Sequence, residues 1–166
     1  MDIKQLLIFG LLLVPVWTCK INQCCDKDKV SKMAKKKLKT HYQHPPEPPA
    51  TAAPDSPVVC PVELYQQPLK SLHDRSLSPW RYVSVTREDH FPSTYAEAQC
   101  LCSGCILIRD TNHGAVESHD YNSVPIKQSR VFLKRELCDD GENYYLKPVS
   151  VEVAVGCTCA RVQSSP

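Results

Sequence analysis

The 166-residue sequence predicts an all-β domain of antiparallel strand pairs, stapled by disulfides and preceded by a disordered N-terminal extension. Three observations carry this expectation. Ten cysteines in so small a chain indicate a disulfide framework or a metal site, and the compartment decides between them. Met1 to Thr18 joins Lys4 to an apolar run from Leu6 to Trp17 that is too short to span a bilayer, the pattern of a cleaved secretory signal. Beyond Cys60, short runs of β-favouring residues alternate with turn residues.

Export places the thiols in an oxidising compartment, so disulfides are expected and the product is expected to be secreted. No later stretch approaches the roughly 20 apolar residues of a transmembrane helix, and no membrane span is expected. Cys100, Cys102 and Cys105, followed by Cys157 and Cys159, would also offer thiolates to zinc, but no histidine stands at finger spacing from a cysteine pair. No metal and no cofactor are expected. His41 and His44 read as solvated residues.

Residues 19–59 read as a flexible extension. Lys20 to His44 holds eight lysines against Asp26 and Asp28, whereas Cys60 to Pro166 holds eleven basic and thirteen acidic side chains. Around Lys32, Lys35, Lys36, Lys37 and Lys39 only Val30, Met33, Ala34 and Leu38 are apolar, so the segment is expected to bury no face and to remain a solvated arm. Its charge suits weak attraction to polyanions, and Lys35-Lys36-Lys37 suits a basic-site protease. His44 to Pro61 carries seven of the fourteen prolines and reads as an extended spacer without ladder pairing. The domain boundary falls just before Cys60.

Within residues 60–166, Leu77 to Trp80 is a turn feeding a strand over Arg81 to Thr86. Phe91-Pro92-Ser93 breaks the chain before Thr94 to Gln99, which suits a helical turn or a strand equally. Ser103-Gly104 marks a bend, and Asp110 to Gly114 an exposed turn between strands. Val124 to Glu136 and Tyr144 to Cys159 form a long hairpin joined by Cys138 to Asn143. Val149, Val151, Val153 and Val155 alternate with Ser150, Glu152 and Ala154, the period of two of a half-buried strand, and the same phase puts Cys157 and Cys159 on the valine face. In the partner strand Val124 and Ile126 have the opposite parity to Val131 and Leu133, which a bulge or twist near Gln128 to Arg130 would reconcile.

The apolar stock is modest, so covalent staples matter. A bridge from the Cys100 cluster to the Cys157 cluster closes a loop of about 58 residues, worth roughly 4 kcal/mol in the chain-entropy model. Strand parity alone leaves Cys100, Cys102 and Cys105 open as partners for the second cluster.

From Cys60 onward the chain resembles the interleukin-17 cytokine family. The resemblance rests on an ordered series: Arg75-Ser76-Leu77-Ser78-Pro79-Trp80, Phe91-Pro92-Ser93, Ala98-Gln99-Cys100 with Cys105 after Gly104, Asn122-Ser123-Val124-Pro125-Ile126, Val131 to Arg135, and Val155-Gly156-Cys157-Thr158-Cys159. Ser78 to Tyr82 and Cys100 to Cys105 look most like the C-type branch. The resemblance implies a cystine-knot domain acting as a secreted, pro-inflammatory, homodimeric ligand of a heteromeric interleukin-17-family receptor, and no enzyme. It pairs Cys100 with Cys157 and Cys105 with Cys159, places Ser78 and Ser123 where other cystine-knot growth factors carry a third bridge, and makes Cys60 and Cys138 the candidates for linking two chains. Cys19, Cys24, Cys25 and Cys102 are left without assigned partners. The family's frequent glycosylation signal before Ser-Pro-Trp is missing from this sequence.

Trp80, Arg81, Tyr82, Tyr95, Asn112 and His113 are the candidate receptor contacts, Trp80 foremost because tryptophan is enriched at binding hot spots. His73, Asp74 and Ser76 lie close in sequence, but no nucleophile-elbow or oxyanion glycine pattern accompanies them, and five glycines leave no phosphate-cradling loop. Neither catalysis nor nucleic-acid binding is expected. The alternative function is a cationic secreted effector that binds polyanions or microbial surfaces through its lysines.

Overall fold

The computed structural model describes residues 19–68, 71–108 and 114–162. The signal stretch and two contact candidates, Asn112 and His113, lie outside the described residues. Among the described residues the domain has seven strands: β1 (Trp80–Thr86), β2 (His90–Phe91), β3 (Thr94–Cys100), β4 (Cys105–Ile108), β5 (Ala115–Ser118), β6 (Tyr121–Leu137) and β7 (Tyr144–Arg161). They form three antiparallel sheets, β1–β3, β2–β6–β7 and β4–β5. Thr94 to Gln99, open between helix and strand in the sequence, is strand because it pairs along its whole length with β1, from Thr94 opposite Thr86 to Cys100 opposite Trp80.

The β6–β7 hairpin turns where its composition predicts. Asp140 Oδ1 accepts from the Glu142 and Asn143 amides at 3.0 and 2.8 Å, and Gly141 takes a φ of +72°, which a side chain would resist. The register irregularity lies one step earlier than expected, between Ile126 and Lys127, and the extra residue is Val155 on β7, since Lys127 faces Ala154 and Ile126 faces Gly156. That insertion changes the phase of β7. Val153 packs with Tyr95 and Phe132, flanked by Val149 and Val151. Ala154 and Cys157, three residues apart, share a second cluster with Trp80 and Ala98, a spacing no regular strand offers on one face. Cys157 therefore does not continue the valine face.

Both faces of β6 are covered. Phe132 and its neighbour Leu133 point to opposite sides, yet each is fully buried. Phe132 meets Tyr95 edge-on, ring centroids 5.0 Å apart. Leu133 meets Leu146, Val30, Met33 and Ala34, the last three from a helix.

That helix corrects the expectation of a solvated arm. Helix α1 (Lys27–Thr40) is capped by Asp26, whose carboxylate accepts from the Asp28 and Lys29 amides at 3.1 and 2.9 Å. No glycine or proline interrupts it. Val30, Met33 and Ala34 are spaced i, i+3 and i+4, so three apolar residues suffice for one stripe, extended by half-buried Leu38. Fully burying a side chain such as Val30 contributes roughly 1.5–3 kcal/mol. The stretch before the helix adds to the outer edge of β7: Cys25 and Tyr144 exchange both amide hydrogen bonds at 2.9 Å, and Asn22 N–H donates to the Leu146 carbonyl at 3.0 Å.

The proline-rich segment is also seated rather than free. His44 Nε2 donates to the Val131 carbonyl at 2.8 Å, its ring edge-on to Phe132. One Glu47 oxygen accepts from the Ala96 amide and the other from Arg130, both at 2.9 Å, so a single carboxylate bridges β3 and β6. Ala52 pairs in parallel with Val83, and Thr51 N–H donates to Tyr82 O at 2.9 Å, so this part of the segment does join a ladder. Proline removes donors only at its own positions, which leaves Thr51 and Ala52 free to pair. Among the described residues no helix is long and apolar enough to cross a membrane.

Candidate functional site

The four central cysteines lie where β3, β4 and β7 meet. Cys100 at the end of β3 is bonded to Cys157, and Cys105 at the start of β4 to Cys159, with Cα–Cα distances of 5.8 and 6.1 Å. The two bridges and the backbone between them close a ring. Gly104 is needed there: a Cβ at this position would press into the Ser118 carbonyl oxygen and lie 3.0 Å from its carbon. Glu117 on β5 holds the same bend, one carboxylate oxygen accepting from Gly104 N at 2.7 Å, Ser103 N at 3.0 Å and Ser103 Oγ at 3.1 Å. The Gly104 amide, foremost among these donors, holds the Glu117 carboxyl below the usual glutamate range.

Ser78 and Ser123 meet at this ring, their hydroxyl oxygens 2.5 Å apart. Ser123 faces Cys159 across the β6–β7 ladder and donates its amide to Ser103 O at 2.9 Å. The residues flanking Ser78 are tied to the same bend, with Leu101 N–H donating to Pro79 O at 2.9 Å and Ile106 N–H to Leu77 O at 2.8 Å. A hydrogen bond stands between these serines, and it satisfies the Ser78 hydroxyl, which burial would otherwise strand.

The remaining cysteines are bonded within the chain as well. All ten are paired within the chain. Cys60 is bonded to Cys102, and Cys138 to Cys24, so neither interchain candidate has a thiol to offer a second chain. Cys19 is bonded to Cys25. The physical reason is proximity: docking of α1 brings Cys24 to the β6–β7 turn, with Cα atoms 6.2 Å apart, and the approach of residues 56–60 brings Cys60 within 4.5 Å of Cys102. Cys60, Cys102 and Glu117 also form a group of potential metal ligands. Two of its three atoms are joined to each other, and the carboxylate already serves Ser103 and Gly104.

Four of the contact candidates, Trp80, Arg81, Tyr82 and Tyr95, lie among the described residues. Trp80 is 8% exposed and packs over Gly156, where an added Cβ would stand 3.3 Å from the indole ring, and its Nε1–H has no hydrogen-bond partner. Tyr95 is 2% exposed. Tyr82 is half-buried, and its hydroxyl donates to the Val155 carbonyl at the bulge, 3.2 Å away. Arg81 fastens the extension: Nε donates to Gln99 Oε1 at 2.8 Å, and the other two nitrogens to the Pro57 and Ser56 carbonyls at 3.1 and 2.5 Å. Trp80 and Tyr95 are thus committed to the core, whereas Arg81 and Tyr82 stay half-buried. Sequence reasoning missed Glu47, Glu117 and the docked face of α1. Only the last had a signal, Asp26 as N-cap followed by the i, i+3, i+4 stripe.

A family model described as Interleukin-17 matches residues 76–161, the stapled strands together with the ring. Human Interleukin-17C is 38% identical over 119 residues, covering 67% of this chain and 58% of the relative. Mouse Interleukin-17C is 36% identical over 114 residues, covering 64% and 57%. Rat Interleukin-17F is 41% identical over 91 residues, covering 54% and 52%. The chain thus spans little more than half the length of the curated relatives it matches. A match that runs through Ser78, both central bridges and Ser123, over more than half of the sequence, establishes that the chain belongs to the interleukin-17 family.

Proposed function

We propose that the protein is a secreted, pro-inflammatory cytokine that acts as a homodimer on a heteromeric interleukin-17-family receptor. The observation that supports this reading is the coincidence of the family match with the disulfide-stapled strands, residues 76–161, in a chain whose relatives bear interleukin names. Signalling is assigned to residues 60–166, after removal of residues 1–18. With Cys60 and Cys138 bonded internally, the pair is held without an interchain disulfide. Exposed Val58, Val59, Leu64, Leu72 and Leu77 supply apolar area for such an interface. Receptor contact falls to exposed side chains rather than to Trp80 or Tyr95.

The test is a signalling assay with oxidised, purified protein on cells that differ only in defined interleukin-17 receptor chains. A response confined to receptor-bearing cells, lost on reduction of the disulfides, is expected. A response in cells lacking every such chain, or silence in all of them, overturns the reading. Light scattering is expected to give a dimer whose non-reduced gel band nevertheless runs as one chain.

A further inference from the structure

Helix α1 carries Lys27, Lys29, Lys32, Lys35, Lys36, Lys37 and Lys39. Since Val30, Met33 and Ala34 point into the domain, the helical period decides which lysines point out. Lys29, Lys32, Lys35, Lys36 and Lys39 all fall on the arc opposite the buried stripe, and all are exposed. The nearby acids, Asp26 and Asp28, lie at the N-terminal end, where Asp26 pairs with Lys29 at 2.7 Å. Lys32, Lys35, Lys36 and Lys39 have no acidic partner among the described residues. Beside this row, residues 19–21 and the helix enclose a groove of about 810 Å³, its walls carrying Lys20, Lys29, Lys32 and Lys36 around apolar Ile21 and Met33.

We infer that this face of α1 is a binding site for a linear sulfated polysaccharide. The row from Lys29 to Lys39 runs about 15 Å along the helix axis, and ammonium groups at helical pitch match repeated sulfates along one polymer strand. Other polyanion surfaces fit less well. The outward arc has no aromatic side chain to stack on a base and no arginine fork to read one. The apolar face is committed to Leu133 and Leu146, so the helix has none left to insert into a lipid surface. The array is also ordered before it meets a ligand: the Cys24–Cys138 bridge and the packed stripe hold it in place, which lowers the entropy lost on binding relative to a loose tail. The charge is local, since residues 60–166 are slightly acidic.

The experiment compares two variants of equal charge change in the full oxidised protein, Lys32→Gln/Lys36→Gln/Lys39→Gln on the helix and Lys127→Gln/Lys134→Gln/Lys147→Gln on the β6–β7 hairpin. Binding to immobilised heparin is measured from 0.1 to 0.5 M salt. The helix variant is expected to bind at least about tenfold more weakly at 0.15 M and to lower the slope of log affinity against log salt by about 2, as three fewer counterions are displaced. The hairpin variant is expected to change affinity less than about twofold. Equal losses in the two variants overturn the site. So does wild-type protein that binds desulfated heparin as tightly as heparin, or that binds a 20-base-pair duplex or phosphatidylserine vesicles more tightly. Signalling on receptor-bearing cells is recorded in parallel, and because both variants leave residues 76–161 cysteine-bonded as before, loss of heparin binding and loss of the receptor response are separately visible.

Discussion

The bridge between Cys24 and Cys138 determines whether α1 belongs to the folded domain. Replacing both by serine leaves the helix with its packing on Leu133 and Leu146, the two amide bonds at Cys25 and Tyr144, and the cap at Asp26. The sequence separation is 114 residues, but the shortest covalent route passes through the Cys60–Cys102 and Cys100–Cys157 bridges. By that route the closed loop is about 57 residues, for which the chain-entropy model assigns roughly 4 kcal/mol. Every 1.4 kcal/mol is tenfold in an opening equilibrium. Amide hydrogen exchange of Val30, Met33 and Ala34 in the Cys24→Ser/Cys138→Ser variant should therefore lose protection by up to about three powers of ten, while the β1–β3 amides keep theirs. Non-reducing peptide mapping of the wild-type protein should recover Cys24 linked to Cys138. Unchanged protection across α1, or Cys138 recovered in a bond between two chains, refutes the reasoning.

Three further outcomes follow from the ring and its surroundings. Trp80→Phe removes a buried donor that has no partner and leaves most of the packing against Gly156, so stability by urea titration should change by less than about 1.5 kcal/mol with receptor potency unaltered. A large drop in potency at unchanged stability would return Trp80 to the binding surface. Glu117 has a lowered pKa, so its contribution is present above the ordinary glutamate value, near 4.3, and is lost as pH falls from there through the folded-state value. Thermal melts should show acid destabilisation in this window that Glu117→Gln reduces, and an identical pH profile in the variant would count against the role given to this carboxylate. Gly104→Ala must displace the Ser118 backbone beside Cys105, with an expected loss of roughly 2–4 kcal/mol in urea titration. A loss below about 0.5 kcal/mol would mean that the bend has more room than the structure shows.

Much of the β-domain is legible along the chain because the relevant physics is local. The alternation of valines before Val155, the Cys138 to Asn143 turn and the break at Phe91 to Ser93 each depend on residues within a few positions of one another, and the motif order from Arg75 to Cys159 identifies the family without reference to shape. Pairing of cysteines and docking of segments depend on distances across the fold. The lysine-rich stretch reads as a solvated arm when its charge is summed, yet its three inward residues meet a face of β6 and β7 that needs a cover, and that need is invisible until Phe132 and Leu133 are seen to be buried on opposite sides. The same docking brings Cys24 to Cys138 and removes a thiol that motif matching assigned to a second chain. One extra residue, Val155, moved Cys157 off the valine face, since a strand's phase survives only while its pairing is unbroken. Composition thus determined the staples, the strands and the basic segment. The tertiary structure decided which sulfurs meet, which aromatic side chains the interior absorbs, and which lysines are held outward in a row, because each of these is set by contacts between residues far apart in sequence.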